Sequence, residues 1–143
     1  MDWTYCNKLV TKVPDNAIGF VYRITLSTGH QYIGKKNCFK KLKLPALKNG
    51  TIREGAERIG KNKDGKRVYF DILTRETDWK EYTSSSDILD PELITHKTIL
   101  EWAPTTRSLT YLETKYLFTN SVLEDENYLN RNILNKFFKG KLL

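Results

Sequence analysis

The alternation of apolar and polar positions points to strands in the first part of the chain and a helix in the last third. Ile18 to Lys36 reads IGFVYRITLSTGHQYIGKK. Phe20, Val21, Tyr22, Ile24 and Thr25 suit a pleated strand, and Ser27-Thr28-Gly29-His30 has turn chemistry, with Gly29 able to take a positive φ. The segment therefore predicts a β-hairpin. Tyr22 and Tyr32 lie ten residues apart, on facing strands and within reach of each other. Val68–Ile72 predicts a short strand, and His96–Ala103 predicts another that Pro104 ends. Beyond Thr105-Thr106, which can cap a helix, Leu109, Leu112, Tyr116 and Leu117 recur at three and four, predicting a helix over Arg107–Asn120. Ile133, Leu134, Phe137 and Phe138 predict a short terminal helix packed on the sheet.

Residues 37–67 break this regularity. Pro45, Asn49-Gly50, Gly55, Gly60 and Asp64-Gly65 punctuate the stretch so often that it reads as an irregular insert. The expected fold is a single α+β domain over residues 1–143, with a small, mainly antiparallel three-stranded sheet flanked by helices.

Charge changes the picture. The formal net charge is +7, but Lys35–Arg67 alone holds twelve Lys or Arg against three acids. Arg131 to the C-terminus adds four more basic residues and no acid. A dense basic segment beside a mildly acidic body suits a polyanion whose counterions it displaces. Lys40, Lys41, Lys43, Lys48, Lys61, Lys63 and Lys66 are the expected phosphate contacts. No apolar run is long enough for a membrane helix, the N-terminus has no secretory signal, and Cys6 and Cys38 form neither a metal motif nor a disulfide framework. A reducing cytoplasm is the expected setting.

Phe20-Val21-Tyr22 followed by Tyr32-Ile33-Gly34 resembles the paired signature of the GIY-YIG nuclease superfamily. Its members include homing endonucleases, some restriction enzymes and the 3′-incision domain of bacterial excision repair. YIG matches letter for letter, whereas FVY is looser and follows Gly19. Tyr82-Thr83-Ser84-Ser85-Ser86 is similar to a Y-x-G-S-S segment of phage members, with Ser84 in the glycine's place. Ser84, Ser85 and Ser86 are expected to hold a phosphate through hydroxyls and backbone N–H groups ahead of a helix start, or simply to cap the turn that follows. The family usually carries a helix with an arginine just after YIG. Between Gly34 and Arg53 no arginine occurs, so Lys35 or Lys36 is the expected substitute, as in phage relatives reading YIGKK. The resemblance implies a bacterial host, phage genomes included.

Glu113 interrupts the helix's apolar stripe, where a carboxylate needs a partner or a ligand. The resemblance places the family's metal-holding glutamate there, with one Mg²⁺ or Mn²⁺ per site. Asn130, or Asn132 two residues on, matches the family's late asparagine, able to fix a loop or orient the glutamate. The implied reaction is metal-assisted hydrolysis of DNA phosphodiesters, cutting one strand or two. Tyr22 would accept a proton from water or position that water, and Tyr32 would bind the scissile phosphate. The chain would act as a monomer or weak homodimer. The competing reading is a nucleic-acid-binding module on the same fold that no longer cuts.

Overall fold

The computed structural model describes residues 1–142. In chain order the elements are β1 (Thr4–Tyr5), β2 (Lys8–Leu9), β3 (Gly19–Leu26), β4 (Gln31–Asn37), β5 (Phe39–Pro45), β6 (Ala56–Lys63) and β7 (Lys66–Glu76). A 3₁₀ turn at Pro91–Leu93, β8 (Ile94–Ala103), α1 (Thr106–Thr119), β9 (Asn132–Ile133) and β10 (Phe137–Phe138) follow. They form two compact units, Phe39–Thr77 and the remainder.

In the larger unit β3 is central. It pairs antiparallel with β4 on one side and β8 on the other. The two-residue β1 adds to β8 in parallel and β2 to β1, so the sheet order is β2-β1-β8-β3-β4. The expected hairpin and third strand are present, but the sheet has five strands rather than three.

β3 reads as a near-continuous apolar run because both its faces are covered. On one face Phe20, Tyr22, Ile24 and Leu26 pack with Trp3, Trp79, Leu89 and Ile99. On the other, Val21 joins Ile33, Leu109, Leu112, Leu117 and Ile133. Fully burying each such side chain contributes about 1.5–3 kcal/mol as an upper figure. The Trp3 indole N–H donates to the Trp79 carbonyl at 2.6 Å, pinning the N-terminal segment across the sheet. Lys97 is also buried there. Its Nζ donates to the carbonyls of Met1 and Lys80 and lies 4.4 Å from the Trp3 ring centre, and burial lowers its pKa.

α1 matches expectation to within a residue at each end. Thr105 caps it: its Oγ1 accepts from the Ser108 N–H, while Ser108 Oγ accepts from the Thr105 N–H. The helices expected to flank the sheet are otherwise missing among the described residues, where α1 and the short 3₁₀ turn account for all helix. The tail is a β9–β10 hairpin and not a helix, because Leu134 and Asn135 turn at φ 57° and 54° and Asn132 Oδ1 accepts the Asn135 N–H. No helix is long and apolar enough to cross a membrane among the described residues.

The basic stretch is regular. β5, β7 and β6 form an antiparallel sheet in that order. Asp64 and Gly65, at φ 52° and 78°, make a two-residue turn joining β6 to β7. The expected Val68–Ile72 strand is the middle of the longer β7. Asp71 is fully buried and held by Arg58 at 2.6 Å and Arg53 at 3.0 Å, which keep its carboxyl below the usual range. Two cations of the basic segment are thus spent on this pair of internal bridges.

Candidate active site

The hairpin register decides which side chains can meet. Tyr22 pairs with Gly34 and Tyr32 with Ile24, so both tyrosines stand on one face, with ring centres 6.5 Å apart. Gly34 is required by this approach. A Cβ at that position would sit 2.4 Å from the Tyr22 hydroxyl, inside the ring's own space. Gly19 is required for a different reason, since its Cβ would meet the Lys36 carbonyl at 2.6 Å.

The same pleat separates the two lysines. Lys36 is on the tyrosine face, where its Nζ contacts Asp78 at 2.8 Å and lies 4.0 Å from the centre of the Tyr82 ring. Lys35 is on the opposite face, toward α1, where its Nζ donates to Thr110 Oγ1 at 2.9 Å. They cannot act as one pair, because successive strand residues point to opposite faces.

Tyr22 is 2% exposed. Burial pushes its phenol well above the ordinary value, and the Ser84 hydroxyl opposes this only in part. Its hydroxyl therefore stays protonated near neutral pH, which disfavours the proton-accepting role. Tyr32 is also raised, first by burial and then by the charge of Glu113, with hydrogen bonds from Ser84 and Ser86 acting the other way. Ser84 thus serves both phenols.

Ser84 has φ 93°, a conformation natural to glycine. Its Oγ accepts the Ser86 N–H at 3.1 Å, Tyr82 Oη accepts the Ser85 N–H, and Ser86 Oγ accepts the Ile88 N–H. No α-helix starts here among the described residues, and the N–H groups of Ser85 and Ser86 are occupied within the loop. The expected N–H cradle for phosphate is therefore not formed, and what Ser85 and Ser86 offer to a ligand is their hydroxyls. Ser84→Gly should stabilise the fold by about 1 kcal/mol through release of backbone strain. It should lower cleavage at the same time, as the shared hydroxyl is lost. Thermal melts beside single-turnover rates would check both signs.

Tyr32, Ser85, Ser86, Glu113, Asn130 and Arg131 line one open cleft of about 360 Å³. Glu113 makes no hydrogen bond or ion pair among the described residues. Burial raises its pKa and the charge of Lys35 lowers it, with burial the larger effect. No cluster of three or more His, Cys, Asp or Glu residues is present among the described residues. A single carboxylate still fits Mg²⁺, which keeps several waters and takes further oxygens from substrate phosphate.

Asn130 does not bond to Glu113. It is 4% exposed, its Oδ1 accepts the Ile33 N–H at 3.1 Å, and its Nδ2 donates to the Ile33 carbonyl at 2.8 Å. Leu129 donates to the Gln31 carbonyl and Gln31 to that of Asn127, so the Asn127–Asn130 segment and this one amide together close the free edge of β4 beside Tyr32. Asn132 holds its own turn and also lines the cleft. His30 and His96 are taken up by neighbouring threonine hydroxyls, Thr28 and Thr95.

In the smaller unit the ladder register puts Lys41, Lys43, Lys61, Lys63 and Lys66 on one face and Lys40 on the other, while Lys48 lies in the loop after β5. Lys43 is lowered by its hydrogen bond to Lys61 and by the charges of Lys61 and Lys63, so these ammonium groups are crowded.

Sequence comparison agrees with the geometry. No curated protein and no solved structure matches the chain. The model of the family described as "Putative endonuclease segE, GIY-YIG domain" matches residues 3–133. With both signature tyrosines on one hairpin and that match over most of its length, the chain belongs to the segE-type GIY-YIG endonuclease domain family.

Proposed function

We propose that the chain is a DNA endonuclease that hydrolyses phosphodiester bonds with Mg²⁺ or Mn²⁺ held at Glu113, working in the cytoplasm as a monomer or weak homodimer. The observation that carries this is the half-buried Glu113 carboxylate, set in the cleft that Tyr32 lines and without a hydrogen bond or ion pair among the described residues. A protein that only bound DNA would have no use for a half-buried acid in a phosphate-binding cleft. The ion would supply positive charge to the phosphoryl group and the departing 3′ oxygen. Tyr32, protonated, donates a hydrogen bond to a phosphate oxygen. Tyr22 is buried and orients water through Ser84 rather than by ionising. Asn130 fixes the strand carrying Tyr32.

The missing helix arginine favours the alternative, a binding module without cleavage: in sequence, β5 follows β4 where the family usually carries that helix. Supercoiled plasmid incubated with and without Mg²⁺ separates the two. Relaxation or linearisation that EDTA prevents supports the enzyme, and binding without any conversion supports the module. The gel also tells nicked from linear product.

The lysine face should supply affinity rather than chemistry. Changing Lys43, Lys61 and Lys63 to Gln together should lower the log–log salt slope of duplex binding by about 2.7, at about 0.9 per phosphate contact. Lys40→Gln should change it far less. A salt titration of binding in EDTA measures both.

A further inference from the structure

The cleft has a cation that does not come from the YIGKK segment. We infer that Arg131 contacts the scissile phosphate in place of the family's helix arginine, an assignment that rests on the endonuclease reading above.

Arg131 lines the same cleft as Tyr32, Glu113, Ser85 and Ser86. Its base is fixed: the preceding residue is the buried Asn130 clamp, and its own carbonyl accepts the Lys139 N–H at 2.8 Å. Its tip is not. The guanidinium reaches from the Asn130–Asn132 wall to Asp87, next to the Ser85–Ser86 wall, and meets it at a long 3.4 Å. The two side chains are 62% and 87% exposed, and an ion pair so open to water is weak enough for a phosphate to displace.

The two lysines are placed less well. Lys36 is engaged by Asp78 at 2.8 Å and by the Tyr82 ring; Lys35, whose charge reaches Glu113, is bonded to Thr110, and neither lysine is among the residues lining the cleft. A guanidinium also presents two parallel N–H donors to a phosphate, whereas an ammonium acts as a point charge. An arm with a rigid base and a lightly held, forked tip suits a group that must follow phosphate charge as it develops.

The test compares Arg131→Gln, Arg131→Lys and Glu113→Gln with the unaltered chain, by single-turnover cleavage at saturating duplex DNA in Mg²⁺ and by the salt dependence of binding in EDTA. Arg131→Gln should lose about 10²-fold or more in rate, the scale of removing one donor to a transition-state oxyanion. Its salt slope should fall by about 0.9. Arg131→Lys should restore the slope while recovering only part of the rate, a split that a merely structural role would not produce. Glu113→Gln should lose cleavage with its slope unchanged. A rate for Arg131→Gln within about threefold of the unaltered chain overturns the assignment, as does an unchanged slope. Should the unaltered chain cut no DNA, the endonuclease reading fails by itself. The slope of Arg131→Gln then still decides whether the guanidinium holds a phosphate.

Discussion

Glu113→Gln is expected to lower Mg²⁺-dependent cleavage by about 10³-fold or more while leaving duplex affinity in EDTA unchanged. The same change should make the metal-free protein more stable near neutral pH, by roughly 3 °C in Tm for about 1 kcal/mol. The opposite signs have one cause. Burial raises the folded pKa of Glu113 above its unfolded value, so the protonated carboxyl favours folding. That contribution is complete below the ordinary glutamate range and is lost as pH rises through the folded pKa. Near neutrality the charged carboxylate is a net cost, which a neutral amide of the same shape avoids. Cleavage should for the same reason fail on acidification at a higher pH than an exposed glutamate would allow, because the ion needs the ionised form. Melting curves and a pH–rate profile are the measurements. A Glu113→Gln protein that cuts at the normal rate would show that the ion is held elsewhere.

Asn130→Asp is expected to be at least as damaging as Asn130→Ala, each costing about 2–4 kcal/mol of stability. The aspartate has nearly the same shape and keeps the acceptor for the Ile33 N–H. It replaces the donor that faces the Ile33 carbonyl with a second oxygen, so an attraction at 2.8 Å becomes a repulsion in a buried place. If Asn130 served only to contact substrate, the aspartate would fold normally and differ mainly in cleavage. Urea unfolding of the two variants distinguishes these outcomes.

The larger unit was readable because its signals are local. Phe20–Thr25 is β-branched and aromatic, Gly29 turns, and the leucines of α1 recur at helical spacing behind Thr105, so hairpin, strand and helix fell where expected. The insert is a sheet, and it carries the marks of one. Lys41-Leu42-Lys43-Leu44 alternates strictly, and Asp64-Gly65 is a hairpin turn. The insert's glycines and prolines mask both, since residues that break a helix make the turns of β structure.

The site was half legible. Tyr22, Tyr32 and Glu113 could be assigned roles from the signature spacing and the helical stripe. That Lys35 and Lys36 part company follows from strand period alone and could have been deduced. Arg131 could not, because its place in the cleft depends on the Asn127–Asn130 segment lying along β4, a contact about one hundred residues apart in sequence. The terminal hairpin was hidden by Leu134, whose left-handed backbone no residue preference announces, although Asn135 beside it takes that conformation readily.

Phe39 pairs with Glu76, so the smaller unit leaves the chain almost where it entered. Topologically it is a loop closed at its neck, and any segment whose ends lie about 5 Å apart could take its place without pulling on the hairpin that holds the two tyrosines. Such a layout allows the lysine-bearing segment to be exchanged as a cassette while the hairpin, α1 and the cleft stay constant. A chimera carrying a different segment over 39–77 should therefore keep the chemistry proposed above and change the affinity for duplex DNA and its salt dependence.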